Sequence, residues 1–189
     1  MQALSGKALI GGLTAFCFFV GGSLCLADQK DMRLPPLFDA LKAAPSPEDA
    51  EAIESKIWAI WLEANDPKID QLMEEGSAAM TAQQFGTALE KFNAIIAERP
   101  DFAEGWNKRA TLYYLMGDYE HSLADIDHTL ELEPRHVGAL SGLGLVNMQM
   151  EREEAAADAF ERVLNIDPQS KSAKANLATV KDILKRKSI

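Results

Sequence analysis

The sequence predicts an all-α fold of stacked, antiparallel helix pairs, and three observations predict it. Pro100, Pro134 and Pro168 stand 34 residues apart. Five further columns keep that period: Leu72, Trp106 and Leu140; Gly76, Ala110 and Gly144; Ala88, Ser122 and Ala156; Phe92, Ile126 and Phe160; Ile95, Thr129 and Val163. Amphipathic segments flank the periodic region at 47–66 and 171–189. A repeat of this length that mixes large, small and proline positions is the mark of a solenoid built from one supersecondary unit.

Each repeat has the same physical logic. A large residue on a first helix is followed four positions later by a small one, which lets a second helix approach closely. Gly117-Asp118 supplies the turn between the two helices of the middle repeat. The closing prolines cannot continue a helix interior and so end the second helix. Asp101 with Glu104 reads as a capping box that opens the next repeat.

These residues resemble the tetratricopeptide repeat family over 69–102, 103–136 and 137–170. The middle repeat carries Trp106, Ala110, Tyr113, Tyr119, Ile126 and Pro134 at the family's positions. The first carries Leu72, Gly76, Ala79, Phe85, Ala88, Phe92 and Pro100. The third keeps Leu140, Leu143, Gly144, Ala156, Phe160 and Pro168 but departs at Asn147 and Glu153. The resemblance implies a right-handed solenoid over 67–170 and a non-enzymatic role in protein–protein interaction.

The flanks follow from local chemistry. Residues 28–46, with Pro35, Pro36 and Pro45, read as a linker holding a helical turn or two. Ser46-Pro47-Glu48-Asp49 is a helix start, with a cap, a proline in the first turn and acids at the positive end of the dipole. Ala50, Ile53, Ile57, Ile60 and Ala64 share one face of that helix, which Trp58 and Trp61 widen. This packing helix, 47–66, is expected to cover the open end of the first repeat. Ala173, Leu177, Val180 and Leu184 form the stripe of a C-terminal capping helix whose lysines suit the negative end of its dipole.

The first 27 residues contain one charge, Lys7, then an apolar run and the ending Cys25-Leu26-Ala27. That is the layout of a secretory signal peptide cleaved after Ala27, which makes the mature chain exported and periplasmic. The rival reading is an uncleaved membrane anchor, since the run is long enough to span. Gly11, Gly12, Gly21 and Gly22 weaken it as a spanning helix. Both cysteines, Cys17 and Cys25, fall inside the leader, so the mature chain has no thiol for a disulfide or a cysteine metal site.

The formal net charge of −10 argues against nucleic acid and against an anionic membrane surface as partners. No cofactor motif is present. Ser141-Gly142-Leu143-Gly144 lacks the third glycine of a phosphate loop and reads as close helix packing. His121, Asp125 and His128 lie at i, i+4 and i+7 and form a metal-handling candidate. The core positions of their helix are Ser122, Ile126 and Thr129, so that face is expected to be outward and solvated.

In the family, the first helix of each repeat lines a concave surface. Carried onto this sequence, the groove residues are Met73, Ser77 and Met80; Asn107, Thr111 and Tyr114; Ser141, Leu145 and Met148. The family's carboxylate-gripping receptors place cationic and amide side chains where this chain has Met73, Ser77, Gly138 and Gly142, so that specificity is not expected. An apolar, methionine-rich floor remains, suited to a peptide or protein segment, extended or helical, with apolar anchors held at about micromolar strength, roughly −8 kcal/mol. The alternative reading is an envelope-complex assembly factor or a homo-oligomer. A further expectation pairs Glu75 with Arg109, one repeat apart in the same column.

Overall fold

The structure is a computed structural model in which residues 31–189 are described; residues 1–30, and with them the expected leader, lie outside them. Nine helices make up the described residues, with no strand among them. They are α1 (Leu34–Lys42), α2 (Pro47–Leu62), α3 (Pro67–Thr81), α4 (Phe85–Glu98), α5 (Ala103–Met116), α6 (Tyr119–Leu132), α7 (Val137–Gln149), α8 (Glu153–Ile166) and α9 (Lys171–Lys187). None is long and apolar enough to cross a membrane.

Helices α3 and α4, α5 and α6, and α7 and α8 pack as pairs, and α9 packs on α8. Four of the five large-and-small columns form the core; in the fifth Leu140 is buried, while Leu72 and Trp106 are half-buried. Ala88, Phe92, Ile95, Leu140, Ala156 and Phe160 are fully buried, and Ser122 and Thr129 are buried with them. Ser122 is tolerated because its hydroxyl donates to Ala110 O at 2.8 Å; Thr129 donates to Asp125 O at the same distance.

The small and large columns compensate each other. A methyl added at Gly76 would stand 2.7 Å from the Phe92 ring, and one at Gly144 2.5 Å from the Phe160 ring. In the middle repeat alanine replaces the glycine and isoleucine replaces the phenylalanine, with Ala110 and Ile126 both buried. The sum of volumes is what the core holds constant.

The repeat extends into backbone conformation. Gln83, Gly117 and Glu151, again 34 apart, have φ of 58°, 77° and 56°. Each sits in the left-handed turn between the helices of its pair, where only glycine escapes a steric cost of about 1–2 kcal/mol. The sequence revealed this turn only where glycine marks it.

Helix starts divide between expected and unexpected. Ser46 accepts from Asp49 N at 3.2 Å, and Asp118 caps α6 through His121 N. The capping box at Asp101 and Glu104 does not form. Phe102 occupies the cap position of α5 with no side-chain bond, Asp101 accepts from Arg99 Nε, and Glu104 is buried in a network of its own. Phe102, His136 and Ser170 are one column, the caps of α5, α7 and α9.

The N-terminal segment departs most from expectation. Residues 34–42, within the stretch read as a linker, form a helix that buries Leu34, Phe38 and Leu41 against α2. The α1–α2 hairpin does not cover the open end of the first repeat. It lies along the edge where consecutive repeats join. Arg99 Nη1 donates to Ala64 O, the Arg135 guanidinium sits 4.1 Å from the Phe38 ring centre, and Gln169 Nε2 donates to Ala44 O. Trp58 and Trp61 pack on His136, and Val137 belongs to the hairpin's core. Two adjacent tryptophan-sized surfaces need a broad partner, and the row of inter-repeat corners offers one that a single exposed helix pair does not.

Candidate functional site

Helices α5 and α7 are neighbours in the stack, and a cleft of about 160 Å³ opens between them. Asn107, Ala110, Thr111, Tyr114, Ser122, Ile126, Gly138, Ser141, Gly142, Leu145 and Val146 line it. None of the eleven carries a charge. In a chain of net charge −10, that is a local departure from the rest of the surface.

Five of the nine residues assigned to a groove meet here: Asn107, Thr111, Tyr114, Ser141 and Leu145. The other four stand elsewhere. Met73 is buried in the core of the first repeat, and Met80 packs against the same cluster. Ser77 is half-buried on α3, and Met148 packs against the core formed by α8 and α9. The methionines therefore fill helix contacts, and the cleft is lined by small residues between Tyr114 and Leu145.

One end of the cleft is closed by a buried polar network that the sequence reading did not include. Glu104, 1% exposed, accepts from Asn107 Nδ2 at 3.0 Å and from His136 Nε2 at 3.1 Å. Its other oxygen faces Lys108 Nζ at 3.3 Å. His136 is fully buried, and its Nδ1 accepts from the backbone N–H of Ala139 at 3.1 Å. That bond fixes the tautomer: the proton sits on Nε2 and is given to the carboxylate. Asn107 is thus oriented by Glu104, its amide nitrogen turned away as a donor to the network. The one signal in the sequence was a histidine in the cap column between Phe102 and Ser170.

Gly138 and Gly142 both line the cleft but for different reasons. A methyl at Gly138 would meet the Trp58 ring at 2.7 Å, so this glycine lets the hairpin close on α7. A methyl at Gly142 would stand 3.5 Å from Ile126 Cδ1, an ordinary contact. Sequence reasoning assigned both Gly142 and Gly144 to close packing. That holds for Gly144 and not for Gly142.

The outer seam of the middle repeat is a ladder between α5 and α6. His128 packs on Trp106 with ring centres 4.4 Å apart, and His121 stacks on Tyr113 at 5.1 Å. Between them Arg109 binds Asp125 twice, at 2.7 and 2.8 Å. Asp125 is 3% exposed, which corrects the expectation of a solvated face: the two histidines are exposed and the aspartate is not. Both carboxylate oxygens of Asp125 are engaged by the guanidinium, and the hydrogen bond to Asp125 holds the Arg109 pKa above its ordinary value. No group of three or more metal-ligating side chains is assembled among the described residues. The Glu75–Arg109 pair does not form either. Glu75 pairs with Lys91 at 2.6 Å within its own repeat, while Arg109 reaches Asn93 and Asp125.

Comparisons with known proteins agree with the geometry. The tetratricopeptide repeat model matches residues 73–127 and again 107–171. A TPR repeat-containing protein of Rhizobium etli is 38% identical over 141 residues, which are 75% of this chain and 69% of that protein. Small glutamine-rich tetratricopeptide repeat-containing protein 2 of Mycosarcoma maydis is 27% identical over 121 residues; this chain spans only 34% of its length. Among solved structures, the Sgt2 TPR domain from Aspergillus fumigatus has a TM-score of 0.60 at 25% identity, covering 65% of this chain and 82% of that one. The first TPR of Spaghetti, solved bound to the HSP90 peptide SRMEEVD, has a TM-score of 0.60 at 20% identity, covering 62% and 93%. Three stacked pairs with buried periodic columns, a family model over more than half the chain and a relative at this identity agree, and the chain belongs to the tetratricopeptide repeat family.

Proposed function

We propose that this protein is an exported, non-enzymatic interaction module that holds a peptide or protein segment in the cleft between α5 and α7. The observation that carries the reading is the uncharged lining of that cleft in a strongly acidic chain. Charged side chains are the cheapest way to cover a solvated surface, and a concave site without them favours a partner that also excludes water. The first TPR of Spaghetti was solved bound to the HSP90 peptide SRMEEVD and the second TPR domain of human RPAP3 in complex with the HSP70 peptide SGPTIEEVD, which is precedent for the fold holding a peptide. The Spaghetti ligand SRMEEVD is acidic. The cleft described here offers no cation to such a sequence, so a different specificity is expected.

A photo-crosslinker at Ser141 in living cells tests the reading. Capture of a heterologous protein, lost in a folded Tyr114→Ala variant and in a folded Thr111→Arg variant, supports it. Thr111 is exposed, so the arginine adds bulk and charge without disturbing the core. Recovery of only the same chain favours a homo-oligomer, and capture that survives both substitutions places the binding site elsewhere.

A further inference from the structure

Nothing among the described residues requires position 142 to be glycine. Gly76, Gly105, Gly138 and Gly144 each stand where a methyl would come within 2.8 Å of a side chain, and Gly117 needs its positive φ of 77°. Gly86 is exposed in the first turn of α4. Gly142 lies inside α7, alanine would fit there, and alanine would favour the helix. Its missing side chain leaves the cleft floor open, as glycine does where another backbone or a ligand approaches closely.

Asn107 is a second and independent observation. It is 7% exposed, lines the same cleft, and gives its Nδ2 to Glu104. A carboxylate only accepts, so the amide cannot be turned round, and Oδ1 is left without a donor among the described residues. Oδ1 is not among the buried atoms that lack a partner, so it opens on the cleft and can exchange water for a ligand's N–H.

We infer that the cleft is the seat for one bulky apolar side chain, the size of phenylalanine or leucine, presented by an extended, uncharged peptide segment lying against the Gly142 backbone. The inference rests on the groove reading and specifies its ligand. The volume of about 160 Å³ compares with the roughly 150 Å³ apolar cavity that holds a benzene ring. No lining residue could pair a charge, so a charged anchor would be left uncompensated. An extended segment can offer Asn107 Oδ1 a free backbone N–H, whereas those in a helix interior are already bonded.

The test is amide NMR of the full chain with three capped single residues as probes: N-acetyl-phenylalaninamide, N-acetyl-leucinamide and N-acetyl-aspartamide with an ionised side chain. The first two should shift Gly142, Tyr114 and Leu145 at millimolar concentration, and the third should not. Gly142→Leu should weaken the apolar probes at least tenfold while melting at or above the parent temperature. Gly142→Ala, which meets no clash, should weaken them severalfold and serves if the leucine variant does not fold. Equal shifts from the aspartyl probe, or undiminished binding by either folded variant, overturn the inference. In cells, partner capture lost in Thr111→Arg but kept in Gly142→Leu would leave the groove standing without the apolar seat. Capture kept in both would remove the groove itself.

Discussion

The rings of Trp61 and His136 lie face to face, 4.2 Å apart and 8° from parallel, both almost completely buried. One belongs to the N-terminal hairpin and the other to the corner between the second and third repeats. Trp58 meets the same histidine edge-on at 5.3 Å, so three rings join the hairpin to the solenoid. The Trp61 indole N–H has no acceptor among the described residues, and the hairpin is held there by apolar and stacking contact. Trp61→Ala is expected to cost about 3–5 kcal/mol in denaturant unfolding, with hydrogen exchange rising first over residues 34–62. A loss under about 1 kcal/mol would mean that the hairpin does not rest on this pair.

The compensating columns predict a rescue. Gly144→Ala forces a methyl to within 2.5 Å of the Phe160 ring and should destabilise by about 1–3 kcal/mol. Phe160→Ile in the same chain rebuilds the pairing of the middle repeat and should recover most of that loss. A double-mutant cycle by chemical denaturation measures it; purely additive costs would disprove volume compensation.

Arg109 and Asp125 should couple strongly. The Arg109 side chain is 17% exposed and that of Asp125 5%, so removing the arginine strands a buried carboxylate at a cost of about 3–5 kcal/mol. Arg109→Ala combined with Asp125→Asn should show a large coupling energy. Arg109→Ala combined with Glu75→Ala should show none, because Glu75 belongs to Lys91.

Glu54 predicts a pH effect of defined sign. It lines a polar cleft with Asp167 and Glu51, and burial, then the neighbouring Asp167 charge, raise its pKa above the ordinary glutamate value. A carboxyl raised on folding binds its proton more tightly in the folded state, so its charge is a standing cost at neutral pH. That cost is relieved as pH falls through the folded pKa toward about 4.3, the unfolded value. Glu54→Gln should therefore melt higher than the parent at pH 7, and the gap should close near pH 4. A gap that persists at pH 4 would rule out the charge as its cause.

The expected leader gives the simplest measurement. If the apolar run ending Cys25-Leu26-Ala27 is cleaved, the mass of protein from its native compartment corresponds to a chain starting at Asp28. An intact Met1 recovered in washed membranes would make this an anchored protein.

Much of this molecule is legible in one dimension. The 34-residue columns, the turn at Gly117, the start of α2 at Ser46 and the amphipathic stripe of α9 follow from periodicity and capping, which are properties of neighbours along the chain. The third repeat's departures were visible too, though not their resolution: Glu153 takes Lys187 Nζ at 2.6 Å, and Asn147 donates to Leu143 O. What only the tertiary structure decided is which surfaces meet. Trp58 and Trp61 announced a helix with a broad apolar face, yet whether it would lie on the first repeat or along the corners depended on Gly138 leaving room and His136 offering a ring. Gly142 and Gly144 look alike as letters. A phenylalanine from the next helix explains one of them, while the other would leave a methyl only an ordinary contact with Ile126, because a side chain's neighbours in space are set by the packing of helices that sequence spacing alone does not fix.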